Sequence, residues 1–134
     1  MDIRTATPVD GQAIAAFDCF GGDRPAAIEA GRCLVAEMDG RLAGYVVFQR
    51  RALIGRDFVE FLVVDESFRR AGVAVALLRA VESRLEGGRL FISTGASNAP
   101  MQSLLGKGGW SAAGQIEGVN TDGSAELFFY RDLP

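Results

Sequence analysis

The run Phe58-Val59-Glu60-Phe61-Leu62-Val63-Val64 is apolar at every position but one. A strand with apolar residues on both faces belongs in the middle of a sheet, covered above and below. It leads into a linker, 65–72, and then into a helical stretch ending at Glu86. There Ala74, Leu77, Leu78, Val81 and Leu85 share one stripe, and Arg79, Glu82, Arg84 and Glu86 lie on the other side. Gly87-Gly88 stops that helix, and 89–94 reads as a further strand. A strand, a helix and a strand in that order make a crossover unit, which places the chain in the α/β class.

The remaining elements follow from periodicity and turn chemistry. Residues 2–7 read as a short strand. Thr7 is the N-cap and Pro8 the first residue of a helix over 8–20, with Val9, Ala13, Ile14, Phe17 and Phe20 at helical spacing and Gly21-Gly22 as its end. A short second helix is expected over 24–31. Strands at 33–38 and 42–49 are joined by Asp39-Gly40, a two-residue hairpin signal. Residues 98–107 look helical and end at Gly108-Gly109. Trp110 opens two final strands, 110–118 and 124–131, joined by a loop containing Asp122-Gly123. No repeat or low-complexity tract divides the chain, so residues 1–134 are read as one domain. The expected architecture is a mixed, mostly antiparallel sheet of six to seven strands with helices on both faces.

Absences exclude whole classes of chemistry. The 134 residues include no His, so a Ser-His-Asp triad, a Cys-His pair and a His-ligated zinc site are out. Cys19 and Cys33 have neither CxxC nor zinc-knuckle spacing and read as reduced, mostly buried thiols of a cytoplasmic protein. No metal site is expected. Fourteen basic against seventeen acidic residues give a net charge of −3, which argues against a dedicated nucleic-acid binder. Met1-Asp2-Ile3-Arg4 is not followed by an apolar run, so no signal peptide is expected. No apolar stretch approaches the roughly 20 residues of a membrane span. An Arg- and Ala-rich composition with a single Lys points to a GC-rich bacterial genome.

The segment Val64-Asp65-Glu66-Ser67-Phe68-Arg69-Arg70-Ala71-Gly72-Val73-Ala74 carries the clearest chemistry. A helix's first turn has free N–H donors and partial positive charge. Small residues at Ala71, Gly72 and Ala74 let a ligand approach the backbone, and Arg69 and Arg70 add fixed charge. The product is a cradle for a pyrophosphate. Neither GxGxxG nor GxxxxGK[ST] is present. The pattern is Arg-x-x-Gly-x-Ala after a Val-rich strand, with Leu77-Leu78 following in the helix. In this it resembles the acetyl-CoA signature of the GNAT family of N-acetyltransferases. A second match is Asn98, a short helix, then Gly109-Trp110, with Trp where that family usually has Phe.

The resemblance covers residues 58–110 by motif and the whole chain by element order. It implies acetyl-CoA as co-substrate, with the pantetheine arm along Leu62, Val63 and Val64. The pyrophosphate would lie on Arg69, Arg70, Ala71, Gly72, Val73 and Ala74, with Asn98 touching the cofactor arm or serving only as an N-cap. It further implies direct transfer of an acetyl group to an amine of a small molecule or protein, with a second copy of the chain paired across the final strands. Neither Cys lies near this site in the sequence, so no covalent enzyme intermediate is inferred.

Amine acetylation needs a neutral nucleophile, and a Lys-like amine has a pKa of about 10.4 in water. A nearby carboxylate can take the proton. Glu60, the one charge in the central strand, is the candidate base; the alternative is an outward-facing Glu or one salt-bridged to Arg56 or Arg50. A backbone N–H near Val63 or Val64 would hold the oxyanion. The family's usual general acid is a Tyr in the helix after Asn98, and that position is Leu105. Ser97, Ser103 and Tyr130 are substitutes; a thiol with a pKa of about 8.5 also leaves unaided. The acceptor pocket is expected between the Phe20 to Arg24 region and the last hairpin, where Asp23, Glu117 and Asp122 favour a cationic amine. Two other readings stay open. One is a non-catalytic acyl-CoA-binding sensor or partner-binding module, which Leu105 favours. The other is a different nucleotide-binding α/β domain.

Overall fold

A computed structural model describes residues 1–20 and 24–134. The seven strands are β1 (Asp2–Thr5), β2 (Cys33–Met38), β3 (Arg41–Leu53), β4 (Arg56–Val64), β5 (Gly88–Gly95), β6 (Ser111–Ile116) and β7 (Glu126–Leu133). The helices are α1 (Gly11–Ala15), α2 (Arg24–Glu29), α3 (Val73–Ser83) and α4 (Ala99–Lys107). The strands form one mixed sheet in the order β1-β2-β3-β4-β5-β7-β6. The β4–β5 pair is parallel, and the β1–β2, β2–β3, β5–β7 and β6–β7 pairs are antiparallel. The chain divides into two compact units: residues 1–49 with 60–86, and residues 50–59 with 87–134.

In the first unit the alternation of strand side chains sorts the helices. Cys33 and Val35 of β2 and Tyr45 and Val47 of β3 pack with Ile14 of α1 and Ala27 and Ile28 of α2. Gly44, one residue out of phase, faces α3 instead. A Cβ at Gly44 would lie 2.7 Å from the Val63 carbonyl oxygen, 3.1 Å from Val73 Cγ1 and 3.4 Å from Leu77 Cδ1. Helices therefore cover both faces of these strands, and α3 is seated close because residue 44 has no side chain.

In the second unit β5 pairs with β7 from Gly88↔Leu133 to Gly95↔Glu126, and α4 buries Leu105 completely. Leu90, Ile92 and Thr94 are the buried face of β5. On the other face, Phe91 meets Tyr130, and Phe58 of β4 stacks on Phe128 with ring centroids 6.2 Å apart.

Four expectations are corrected. The helix over 8–20 is instead a 3-10 turn at Pro8–Asp10 followed by α1, which ends at the Ala16 cap. Thr7 is the N-cap residue, but the cap is closed by Asp10, whose carboxylate accepts the Thr7 N–H at 2.7 Å. The helix stops short because the Asp18 carboxylate accepts the Phe20 N–H at 3.0 Å, a local bond that competes with helix propagation. Gly21 and Gly22, expected as the helix end, lie outside the described residues. Val9 and Phe20, expected on the buried stripe, are 86% and 49% exposed.

Residues 50–57, given no element in the sequence, complete a β3–β4 hairpin. Its tip is Ile54-Gly55, with φ of 48° and 80°. A two-residue tip wants left-handed residues, and Ile is a poor sequence signal for one. The helix expected to reach Glu86 ends at Ser83, with Arg84 as its cap. Finally, Cys19 is exposed, whereas Cys33 is buried.

Candidate active site

The loop from β4 to α3 is built by local bonds. Asp65 N–H donates to Ala43 O at 2.8 Å, tying the end of β4 to β3. The Asp65 carboxylate then accepts the Ser67 N–H at 3.1 Å and starts a 3-10 turn at Glu66–Phe68. Phe68 is buried and lies under the Arg41 guanidinium, 4.7 Å from its ring centroid, which pins the loop to the body. Beyond this anchor the chain surfaces: Arg69, Arg70, Ala71 and Gly72 are all exposed.

Arg70 and Gly72 are both left-handed, with φ of 64° and 79°. Gly72 is the N-cap residue of α3 and has no side chain with which to cap it. The first N–H groups of α3 therefore lack an intrahelical partner. A Cβ at Gly72 would meet nothing within 4 Å. The backbone approach is open, the partial charge of the helix end is positive, and Arg69 and Arg70 precede it in the chain. Backbone N–H groups at such a helix end can meet an anion. Val73 is buried and Ala74 half-buried, so these two contribute backbone rather than side chain.

β4 carries the second part of the site. Its pairing with β5 covers Asp57, Phe58 and Val59. Glu60 follows directly and is half-buried, as are Leu62 and Val64, while Val63 is buried. The Glu60 carboxylate accepts a hydrogen bond from Gln49 Nε2 of β3. Gln49 was not among the sequence candidates, since nothing in the order of residues announces the β3–β4 register.

Near Glu60 in the same unit is a buried polar cluster that the sequence did not reveal. Asp18 and Arg24 pair at 2.9 Å with side chains only 9% and 8% exposed. The Tyr45 hydroxyl donates to Asp18 Oδ1 at 2.6 Å, and Arg24 Nε donates to the Tyr45 oxygen at 3.0 Å. Burial works to lower the Arg24 pKa, but the bonds to Tyr45 and Asp18 outweigh it and the group is held above its ordinary value. Burial and the bond to Asp18 push the Tyr45 phenol up, so it remains an O–H donor.

The other expected residues lie in the second unit. Asn98 is the N-cap of α4, its side chain accepting the Met101 N–H at 3.2 Å. Leu105 is fully buried and offers no hydroxyl. Of the substitutes, Ser97 donates to Asp122 Oδ2 at 3.3 Å, Ser103 is exposed, and Tyr130 stacks under Arg89 at 4.0 Å. Asp122 also accepts from Ser124 and is held below its ordinary pKa, first by that side-chain bond. Glu117 is exposed and accepts from Gln115. Asp23 lies outside the described residues. No group of three metal-ligating side chains occurs among the described residues. No helix there is long and apolar enough to cross a membrane.

The fold, the open left-handed loop and the strand beside it define an acetyltransferase of the GNAT kind. The model of the acetyltransferase (GNAT) family matches residues 5–110, and the chain belongs to that family. No curated protein sequence matches at a significant level. Among solved structures, the chain is similar to a GNAT acetyltransferase from Bacillus cereus, with 25% identity, 99% and 97% of the two chains covered and a TM-score of 0.87. It is similar in fold to the ribosomal-protein-S18-alanine N-acetyltransferase from Escherichia coli, with 19% identity, 98% and 93% covered and a TM-score of 0.77. The same holds for yncA from Salmonella typhimurium, described with its cofactor acetyl-CoA, with 18% identity, 100% and 94% covered and a TM-score of 0.80.

Proposed function

We propose that this protein transfers the acetyl group of acetyl-CoA directly to a primary amine. The observation that carries the reading is the exposed loop with left-handed Arg70 and Gly72 at the uncapped start of α3. In this reading the backbone N–H groups of residues 72–74 and the Arg69 and Arg70 guanidinium groups hold the pyrophosphate. The pantetheine arm runs along Leu62–Val64 of β4.

Glu60 takes the proton from the attacking amine. Gln49 holds that carboxylate by a hydrogen bond. That carboxylate favours an acceptor that arrives as an ammonium ion. A backbone N–H near Val63 or Val64 meets the oxyanion as the tetrahedral intermediate forms. The thiolate leaves without a protein acid, as a thiol of pKa about 8.5 allows. We place the protein in the cytoplasm. The β6 edge, exposed along its whole length and without a charged residue, is where a second copy would pair.

Buried Leu105 also supports a second reading, an acyl-CoA-binding module without turnover. Calorimetry with acetyl-CoA, followed by thiol release with a panel of primary amines, tests both. Absence of acetyl-CoA binding overturns the assignment. Binding with turnover that Glu60→Gln abolishes supports the enzyme; binding without turnover on any amine supports the module.

A further inference from the structure

The Asp18–Arg24–Tyr45 cluster has no part in the reaction just proposed, yet it buries two charges. A buried ion pair rarely adds stability over an apolar replacement of the same shape, because desolvation offsets the attraction. What such a cluster does supply is fixed geometry, and here it seats its guanidinium on one aromatic ring. The Arg24 guanidinium carbon lies 3.8 Å from the Phe61 ring centroid, closer than its 5.5 Å to Tyr45. The Phe20 ring lies 5.3 Å from Phe61, and the Phe20 N–H donates to the same Asp18 carboxylate at 3.0 Å. Asp18 therefore organises three groups at once: the Phe20 backbone, the Tyr45 hydroxyl and the Arg24 guanidinium.

Phe61 stands between Glu60 and Leu62 in β4. We propose that Arg24 is a positioning residue for Glu60. It clamps the Phe61 ring, and the clamped ring fixes the strand segment from which the Glu60 carboxylate projects. Gln49 holds the carboxylate itself, so the base is set from two sides: by a neutral amide on β3 and by a stacked guanidinium from α2. The inference deepens the acetyltransferase reading and rests on Glu60 as the base.

Arg24→Met alone would strand the Asp18 carboxylate in the interior. The test therefore uses Asp18→Asn/Arg24→Met, which removes both charges, and Arg24→Lys, which keeps the charge. Thiol release from acetyl-CoA is measured with spermidine and with an alanine-terminated peptide. Amide hydrogen exchange is followed across 58–64. In the double variant we expect wild-type acetyl-CoA affinity, a kcat at least tenfold lower and exchange across 58–64 at least tenfold faster, with 33–38 unchanged. Arg24→Lys should recover most of the rate. In a Glu60→Gln background the same double change should cost less than twofold, since the group it positions is already gone.

A folded double variant with wild-type kcat overturns the proposal, as does an equal loss in the Glu60→Gln background. If neither amine is turned over, unchanged exchange across 58–64 overturns it. Failure of the underlying reading is visible separately, as full turnover by Glu60→Gln with Asp18 and Arg24 intact.

Discussion

Substitution at Gly72 separates the backbone's requirement from the ligand's. Gly72 has φ of 79°, and a Cβ there meets no atom within 4 Å. In the free protein Gly72→Ala therefore costs only the left-handed strain of a residue with a side chain, about 1–2 kcal/mol. For a chain of this size that lowers Tm by about 3–8 °C. Gly72→Glu carries the same backbone cost and no added clash, so its Tm should fall within a few degrees of the alanine variant. Binding should part the two. The glutamate puts a negative charge and four further heavy atoms where the pyrophosphate approaches the first turn of α3. A hundredfold loss of acetyl-CoA affinity, about 2.7 kcal/mol, is expected for Gly72→Glu, and tenfold or less for Gly72→Ala. Calorimetric titration of acetyl-CoA into each variant, with thermal melts alongside, reads both quantities. Folded Gly72→Glu binding acetyl-CoA within threefold of wild type would refute the cradle.

Further outcomes follow from other sites. Glu60→Gln should keep acetyl-CoA affinity and lose roughly a hundredfold or more in kcat, the scale of a lost general base; steady-state kinetics with any accepted amine decides it. Gly44→Ala should destabilise by about 1–3 kcal/mol, because its methyl meets the rigid Val63 carbonyl at 2.7 Å; chemical denaturation measures the loss. The hydrogen bonds from Arg4 hold the Asp10 carboxyl down at about 2. The native state therefore prefers the charged form, and that stability is present above about pH 4 and lost as pH falls through about 2. Asp10→Asn should flatten the melting curve over that window. A maleimide should label exposed Cys19 quickly and Cys33, whose thiol burial pushes up to about 12, only on unfolding; mass spectrometry of the native protein shows which.

The chain order alone determined the elements that carry strong local signals. The apolar run over 58–64, the stripe through Leu77 and Val81, and the small residues around Gly72 each act within a few residues of themselves. Their periods and steric freedoms therefore dictate strand, helix and open loop wherever the chain goes. Leu105 stood out only through the family resemblance, which implies a Tyr at its position. Tertiary structure decided what depends on register and on distant partners. The Asp18 carboxylate finds Tyr45, 27 positions away, and Arg24 as partners, which no local pattern announces. Ile54 takes a left-handed turn because β3 and β4 leave only two residues to join them. Glu60 meets Gln49 because strand pairing sets which side chains stand opposite each other. A local pattern fixes which conformation a segment prefers; the partner of a buried polar group is fixed only when whole strands and helices have packed.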